Sequence, residues 1–169
     1  MIKQHETVIE TCSRLMAEQQ LTMASAESAT AGKLAYAFSQ TEYSGTVLKG
    51  GLISYDAAIK EKILKVPVAL VERYSPESKE VTREMALRIR ALMKADISVA
   101  VTGLTTPGGS ERPGKPVGTM FYCIEFKKNI IDRCKIFKGS ADEIIDGTIE
   151  QIARTIIRML RTSNNKREE

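Results

Sequence analysis

The chain has 169 residues, 43% of them hydrophobic and 27% charged, with a formal net charge of +4. That length suits one domain with one substantial core, so 1–169 reads as a single domain with a frayed tail over 162–169. No apolar run approaches the roughly 18 residues that cross a bilayer, Trp is absent and aromatics make up 5%, so neither a membrane nor nucleic acid is expected as a partner.

Residues 3–19 place Val8, Cys12, Leu15 and Met16 at helical spacing, which predicts an amphipathic helix docked on a sheet. Residues 21–26 read as a short strand, followed by the turn Glu27-Ser28-Ala29-Thr30-Ala31-Gly32 and a helix over 33–39. A second strand is predicted over 46–55, with a bulge or close backbone approach at Gly50-Gly51, and Asp56 is placed to cap the helix carrying Lys60. A short helix is expected over 69–73, and Ser78 opens a longer one running to Met93. The near-continuous apolar run over 97–102 predicts a strand buried on both faces in the middle of the sheet. Alternation over 118–126 and 130–137 predicts an antiparallel hairpin, and a helix over 142–161 closes the chain. The sum is a three-layer α/β/α sandwich with a mixed sheet.

The N-terminal segment carries no leader pattern, and the cytoplasm is the expected compartment. Cys12, Cys123 and Cys134 lack metal or redox spacing and read as small core hydrophobes. His5 is the only histidine, which excludes a histidine-based triad and an HExxH zinc site; neither a metal nor a cofactor is expected.

In open α/β sheets ligands collect where strands end at their carboxyl side. Three polar loops leave strands that way, over 27–32, 54–60 and 102–116. In the first, Ser28 and Thr30 are candidates for a nucleophile or for an anion site at a helix N-terminus, against the alternative that they only cap the helix. In the second, Lys60 is a candidate base for a serine, provided that burial or a second cation brings its pKa down from about 10.4. The third contains Gly109-x-x-x-x-Gly114-Lys115, but Pro116 follows and a strand is expected next, so it is not a phosphate-cradling Walker loop.

Taken together, Ala26-Glu27-Ser28-Ala29-Thr30-Ala31-Gly32, Gly50-Gly51-Leu52-Ile53-Ser54-Tyr55 with Lys60, Val101-Thr102-Gly103 with Pro107-Gly108-Gly109, and Lys115-Pro116-Val117-Gly118-Thr119 resemble the CinA C-terminal domain family. The resemblance implies a self-associating α/β sandwich that hydrolyses the amide of nicotinamide mononucleotide to nicotinate mononucleotide and ammonia. It implies Ser28, Lys60 and Tyr55 as catalytic residues. Glu27, Thr30, Gly32, Ser44, Gly45, Thr102, Gly103 and Lys115 would contact a nucleotide-like substrate. The chain departs from the family pattern at Ala29 and Ala31, at Gly45 where active members carry serine, and over 139–145, where two arginines are replaced by a stretch containing Asp142 and Glu143. A non-catalytic, ligand-binding or homo-oligomeric relative is the alternative that these departures leave open.

Overall fold

Residues 6–165 are described in a computed structural model. Thr7 starts the first helix, α1 (Val8–Glu18): its hydroxyl accepts from the Glu10 amide while the Glu10 carboxylate accepts from the Thr7 amide, a reciprocal capping box. The helix therefore begins later than the predicted residue 3; residues 3–5, with His5, lie outside the described residues.

The first strand, β1 (Met23–Glu27), leads through the Ser28–Gly32 turn into α2 (Lys33–Ser39). A helical turn, α3 (Ser44–Val47), then precedes β2 (Leu48–Ile53). The expected strand start at Thr46 was thus two residues early, because Tyr43 and Ser44 carbonyls draw 46–48 into a turn. Met23 pairs with Leu48 but Ala24 with Gly50, so Lys49 is the extra residue of a bulge where the glycine pair suggested one. Asp56 caps α4 (Ala57–Lys62) through the Ala58 amide, as expected. The remaining elements are α5 (Val68–Tyr74), α6 (Lys79–Met93), β3 (Ile97–Gly103), β4 (Thr119–Phe126), β5 (Asn129–Ile136) and α7 (Ala141–Asn165).

The sheet order is β2-β1-β3-β4-β5, with β1, β2 and β3 parallel and β4 and β5 antiparallel additions. Lys127 and Lys128 both take positive φ in the two-residue hairpin turn, which fits the strand twist. β3 is central and buried along both faces, as its apolar run predicted. Alternation along it sends Ile97, Val99 and Val101 to one layer, with Cys12, Met16, Leu34, Phe38 and the buried face of α7. Ala100 goes to the other, with Val81, Met85 and Ile89 of α6. This is the expected three-layer mixed-sheet sandwich.

Two expectations change. α7 continues through Asn165, and Lys127 Nζ donates to Ser163 Oγ at 3.1 Å, so 162–165 are helical rather than frayed; 166–169 lie outside the described residues. Cys12 and Cys123 are buried, but Cys134 is exposed on the edge strand β5, within a stretch from Arg133 to Ile136 that is exposed on both faces.

Candidate active site

Ser28 follows β1 directly, and its amide donates to Val101 O on β3, which fixes the turn at the carboxyl ends of the parallel strands. Ser54 is tied to the same place, because its amide and its hydroxyl both donate to Glu27 O. From the first turns of α4, Lys60 reaches back between them. Its Nζ donates to Ser28 Oγ at 3.1 Å, to Ser54 O at 2.7 Å and to Tyr55 O at 3.4 Å. The side chain is fully buried.

Burial lowers the Lys60 pKa, and the negative charges of Glu77 and Asp56 oppose that shift. The three acceptors match the two states of the amine. As an ammonium it uses all three N–H groups; as a free amine it keeps two for the carbonyls and turns its lone pair to the Ser28 hydroxyl. That is the arrangement a serine nucleophile with a lysine base requires.

Glu27 has a different task from the one expected. It is 1% exposed, and Oε2 accepts from the Gly32 and Leu34 amides at 3.0 Å each and from Thr30 Oγ1 at 2.7 Å. Its Oε1 accepts from the Ala35 amide at 2.8 Å and from Ser25 Oγ at 2.9 Å. The N-terminus of α2 is therefore filled by the protein's own carboxylate. This overturns the simple hydroxyl cap expected for that turn: the N-cap is Gly32, with no side-chain cap of its own. Gly32 sits at φ +95°, which strains any side chain there, and an added Cβ would lie 2.8 Å from Ile53 Cδ1, so the Ile53 side chain would have to shift.

Tyr55 contributes its carbonyl to Lys60, whereas its side chain is 67% exposed. Thr102 is fully buried beside the turn and shares a 2.8 Å hydrogen bond with Thr82 on α6. Gly103 permits close packing: a Cβ would meet Thr119 O at 2.6 Å. Ser44 and Gly45 are not brought to this place. They immediately precede the amino end of β2, which is level with Met23, while Ser28 lies beyond the other end of β1.

Lys115 is 5% exposed and points into the connector between α5 and α6. Its Nζ donates to Glu77 O at 3.1 Å and Ser75 Oγ at 3.2 Å, with the Glu77 carboxylate 3.8 Å away. Burial again lowers its pKa, and Glu77 opposes the shift. Ser110 Oγ donates to Glu77 Oε2 at 2.6 Å. Ser75 takes φ +76° and ψ 154°, a region otherwise reserved for glycine, at a cost on the order of 1–3 kcal/mol. Its hydroxyl donates to Glu77 O and its carbonyl accepts from Ser78 Oγ, which hold the strained turn. Glu77 was missed in the sequence because nothing about a lone glutamate in a Ser-Pro-Glu-Ser turn marks it. The loop after β3 forms a small bridge between Arg112 and Lys115 and passes into β4, which agrees with the rejection of a Walker loop.

The first turns of α7 present Asp142, Glu143 and Asp146. The cation beside them is Lys33, whose Nζ lies 3.4 Å from Asp142 and 2.8 Å from Asp146. Among the described residues no group of three or more His, Cys, Asp or Glu is arranged to hold a metal ion, and no helix is long and apolar enough to cross a membrane.

A mixed five-stranded α/β sandwich with a buried serine and lysine at the carboxyl ends of its parallel strands is the class that the fold and site define. The CinA C-terminal domain family matches residues 5–160, and the chain belongs to it. It is 38% identical over 116 residues to a CinA-like protein of Prochlorococcus marinus, covering 69% of this chain and 27% of the relative. It is 30% identical over 146 residues to a putative competence-damage inducible protein of Desulforudis audaxviator, covering 86% and 35%. The chain thus spans about a third or less of the length of these relatives. The crystal structure of a competence-damaged protein (CinA) superfamily protein from Escherichia coli superimposes with a TM-score of 0.85 at 29% identity, covering 91% of this chain and 89% of that one.

Proposed function

We propose that this chain is an amide hydrolase acting on nicotinamide mononucleotide or a closely related amide, adding water to release ammonia and the carboxylate. The observation that carries the reading is the 3.1 Å contact between Lys60 Nζ and Ser28 Oγ inside the protein. Lys60 takes the serine proton, Ser28 attacks the amide carbon, and ammonia leaves with a proton returned by Lys60; water then releases the acid by the same base. The turn's own hydrogen bonds run from the Ala31 amide to Ser28 O and from the Lys33 amide to Thr30 O, which leaves the Ala29 and Thr30 amides as donors for an oxyanion. Thr102 and the Lys115 loop border the substrate, Tyr55 acts through its carbonyl, and Glu27, Thr30 and Gly32 shape the turn from behind.

The test is ammonia release from nicotinamide mononucleotide, run beside a thermal-shift screen of nucleotides. Turnover supports hydrolysis; neither turnover nor a shift removes it.

The second reading, a non-catalytic ligand-binding or homo-oligomeric relative, is favoured by the acidic first turns of α7, which repel a phosphate where arginines would hold one. A thermal shift without turnover selects it. In both readings the protein works in the cytoplasm as a homo-oligomer of dimer or higher order. Supporting the association, Ile53 at the end of the edge strand β2 and Tyr55 just after it are both more than half exposed.

A further inference from the structure

We propose that the trench between the edge strand β5 and the second half of α7 binds a small organic phosphate, a phosphate monoester held by Arg133 and Arg158 with its apolar body over Ile131 and Met159. This place lies apart from Ser28 and Lys60. Phe126, in its lining, pairs with Ile97, and Ile97 is level with Met23, at the other end of β1 from Ser28.

The trench exists because the sheet is one strand wider than its helical cover. Tyr122, Ile124 and Phe126 of β4 lie in the core with Ile152, Ile156 and Leu160 of α7. Their partners across the hairpin are Arg133, Ile131 and Asn129, which share that face one strand further out. There the cover thins: Ile131 is partly buried, and Arg133 and Asn129 are exposed. The result is a cavity of about 660 Å³ between strand and helix, a volume that suits a small molecule. Two bridges bound it. Lys127 Nζ donates to Ser163 Oγ at 3.1 Å at one end, and Lys135 Nζ donates to Gln151 Oε1 at 3.2 Å at the other. Asn129 to Arg133 spans about 13 Å of strand between them, room for a small ligand rather than for a chain passing through.

The charge in the trench has one sign. Two arginines line it and no carboxylate does. Among the described residues neither arginine has an acidic partner, whereas Arg154, one turn before Arg158, is paired with Glu150 at 2.6 Å. Arg158 is oriented from below, because its Nη2 donates to Thr155 Oγ1 at 3.2 Å. Thr155 is 1% exposed; its hydroxyl donates to Gln151 O at 2.8 Å and shares a 3.3 Å hydrogen bond with Tyr122 Oη. Arg133 uses one N–H on Asp132 O at 2.9 Å. A guanidinium carries five N–H donors, so most of both forks face the trench unused.

These donors select the ligand. One bidentate arginine occupies both oxygens of a carboxylate, whereas the three terminal oxygens and near-double charge of a phosphate accept from two. The side chains of Ile131, Met159 and Phe126 add an apolar surface that favours an organic phosphate over the inorganic ion. The same edge of a second copy is a poor occupant, since Arg133 and Lys135 would meet like charges across the pair.

The experiment titrates phenyl phosphate into the ¹⁵N-labelled chain and follows its amide resonances. Saturable shifts are expected over 129–133 and 155–163. Inorganic phosphate, which lacks the ring, and phenol, which lacks the charge, are each expected to bind at least about tenfold more weakly. Arg133→Met and Arg158→Met are each expected to weaken phenyl phosphate by about tenfold or more, and the double variant to lose it. Arg161→Gln removes an equal charge from an exposed position of the same helix outside the trench, and is expected to stay within about twofold of wild type. Arg133 and Arg158 are exposed, so their variants are expected to fold, with melting temperature as the check. Equal weakening in Arg161→Gln, shifts confined to 28–32, or no saturable shift with millimolar phenyl phosphate would each overturn the proposal. So would pelleting with phosphatidic acid vesicles without any response to phenyl phosphate, which would give the two arginines to a lipid surface instead.

Discussion

Lys60 Nζ donates to Ser28 Oγ across 32 residues of sequence, and the same ammonium is held by the carbonyls of Ser54 and Tyr55. The Lys60 side chain is fully buried, and its amine is satisfied by protein acceptors alone. The consequences for chemistry and for stability can be separated.

Ser28→Ala and Lys60→Met are each expected to lower amide hydrolysis by about 10²–10⁴-fold, the usual contribution of a positioned nucleophile or base. The double variant is expected to be no worse than the poorer single one, because the two act as a unit. Initial rates of ammonia release with nicotinamide mononucleotide measure this. Unchanged rates in both single variants would end the Ser–Lys mechanism.

Stability should rise with pH on account of Lys60. Its folded pKa is depressed below that of the unfolded chain, so between the two values the unfolded state binds more protons. In that window each pH unit adds up to about 1.4 kcal/mol, and below it the cost of burying the charge is fully present. Urea melts at pH 7, 8, 9 and 10 are expected to show wild type gaining on Lys60→Met as pH rises. Parallel curves for the two proteins would contradict the depressed pKa.

Glu27→Ala is expected to destabilise the protein by about 3–5 kcal/mol, because it leaves buried donors of α2 and the hydroxyls of Ser25 and Thr30 without their acceptor. Denaturant unfolding measures it. A loss under about 1 kcal/mol would mean that the helix N-terminus is satisfied some other way.

Gly32→Ala is expected to cost about 1–2 kcal/mol from its left-handed backbone, with a further cost from the Ile53 contact. Its effect on activity should exceed its effect on stability, since Ser28 stands at the start of the same turn. Comparing melting temperature with kcat separates the two.

Much of the frame could be read from local pattern. The buried run over 97–102 marked the central strand, alternation marked the hairpin, Asp56 marked the start of α4, and the glycine pair marked the bulge. These features are set by neighbours in sequence, through pleat, turn and cap. Where the reading slipped, a local preference was outweighed: Thr46 has strand character, yet the Tyr43 and Ser44 carbonyls hold 46–48 in a helical turn. Cys134 has the look of a core residue but falls where the edge strand β5 is exposed on both faces.

By itself the sequence determined the three-layer order, the end of the sheet where Ser28 and Lys60 meet, and the family. Only tertiary structure decided what each polar residue does there. Glu27 and Thr30 differ little in sequence terms from substrate ligands, but folding turns both inward onto α2. Ser44 and Gly45 are carried to the opposite end of β2. Glu77, unmarked in the chain, is brought from the α5–α6 connector against Lys115 and Ser110 of the loop after β3. The physical reason is that periodicity encodes which face is buried, whereas the charge and hydrogen-bond balance of a buried amine depends on groups that meet only when distant segments pack.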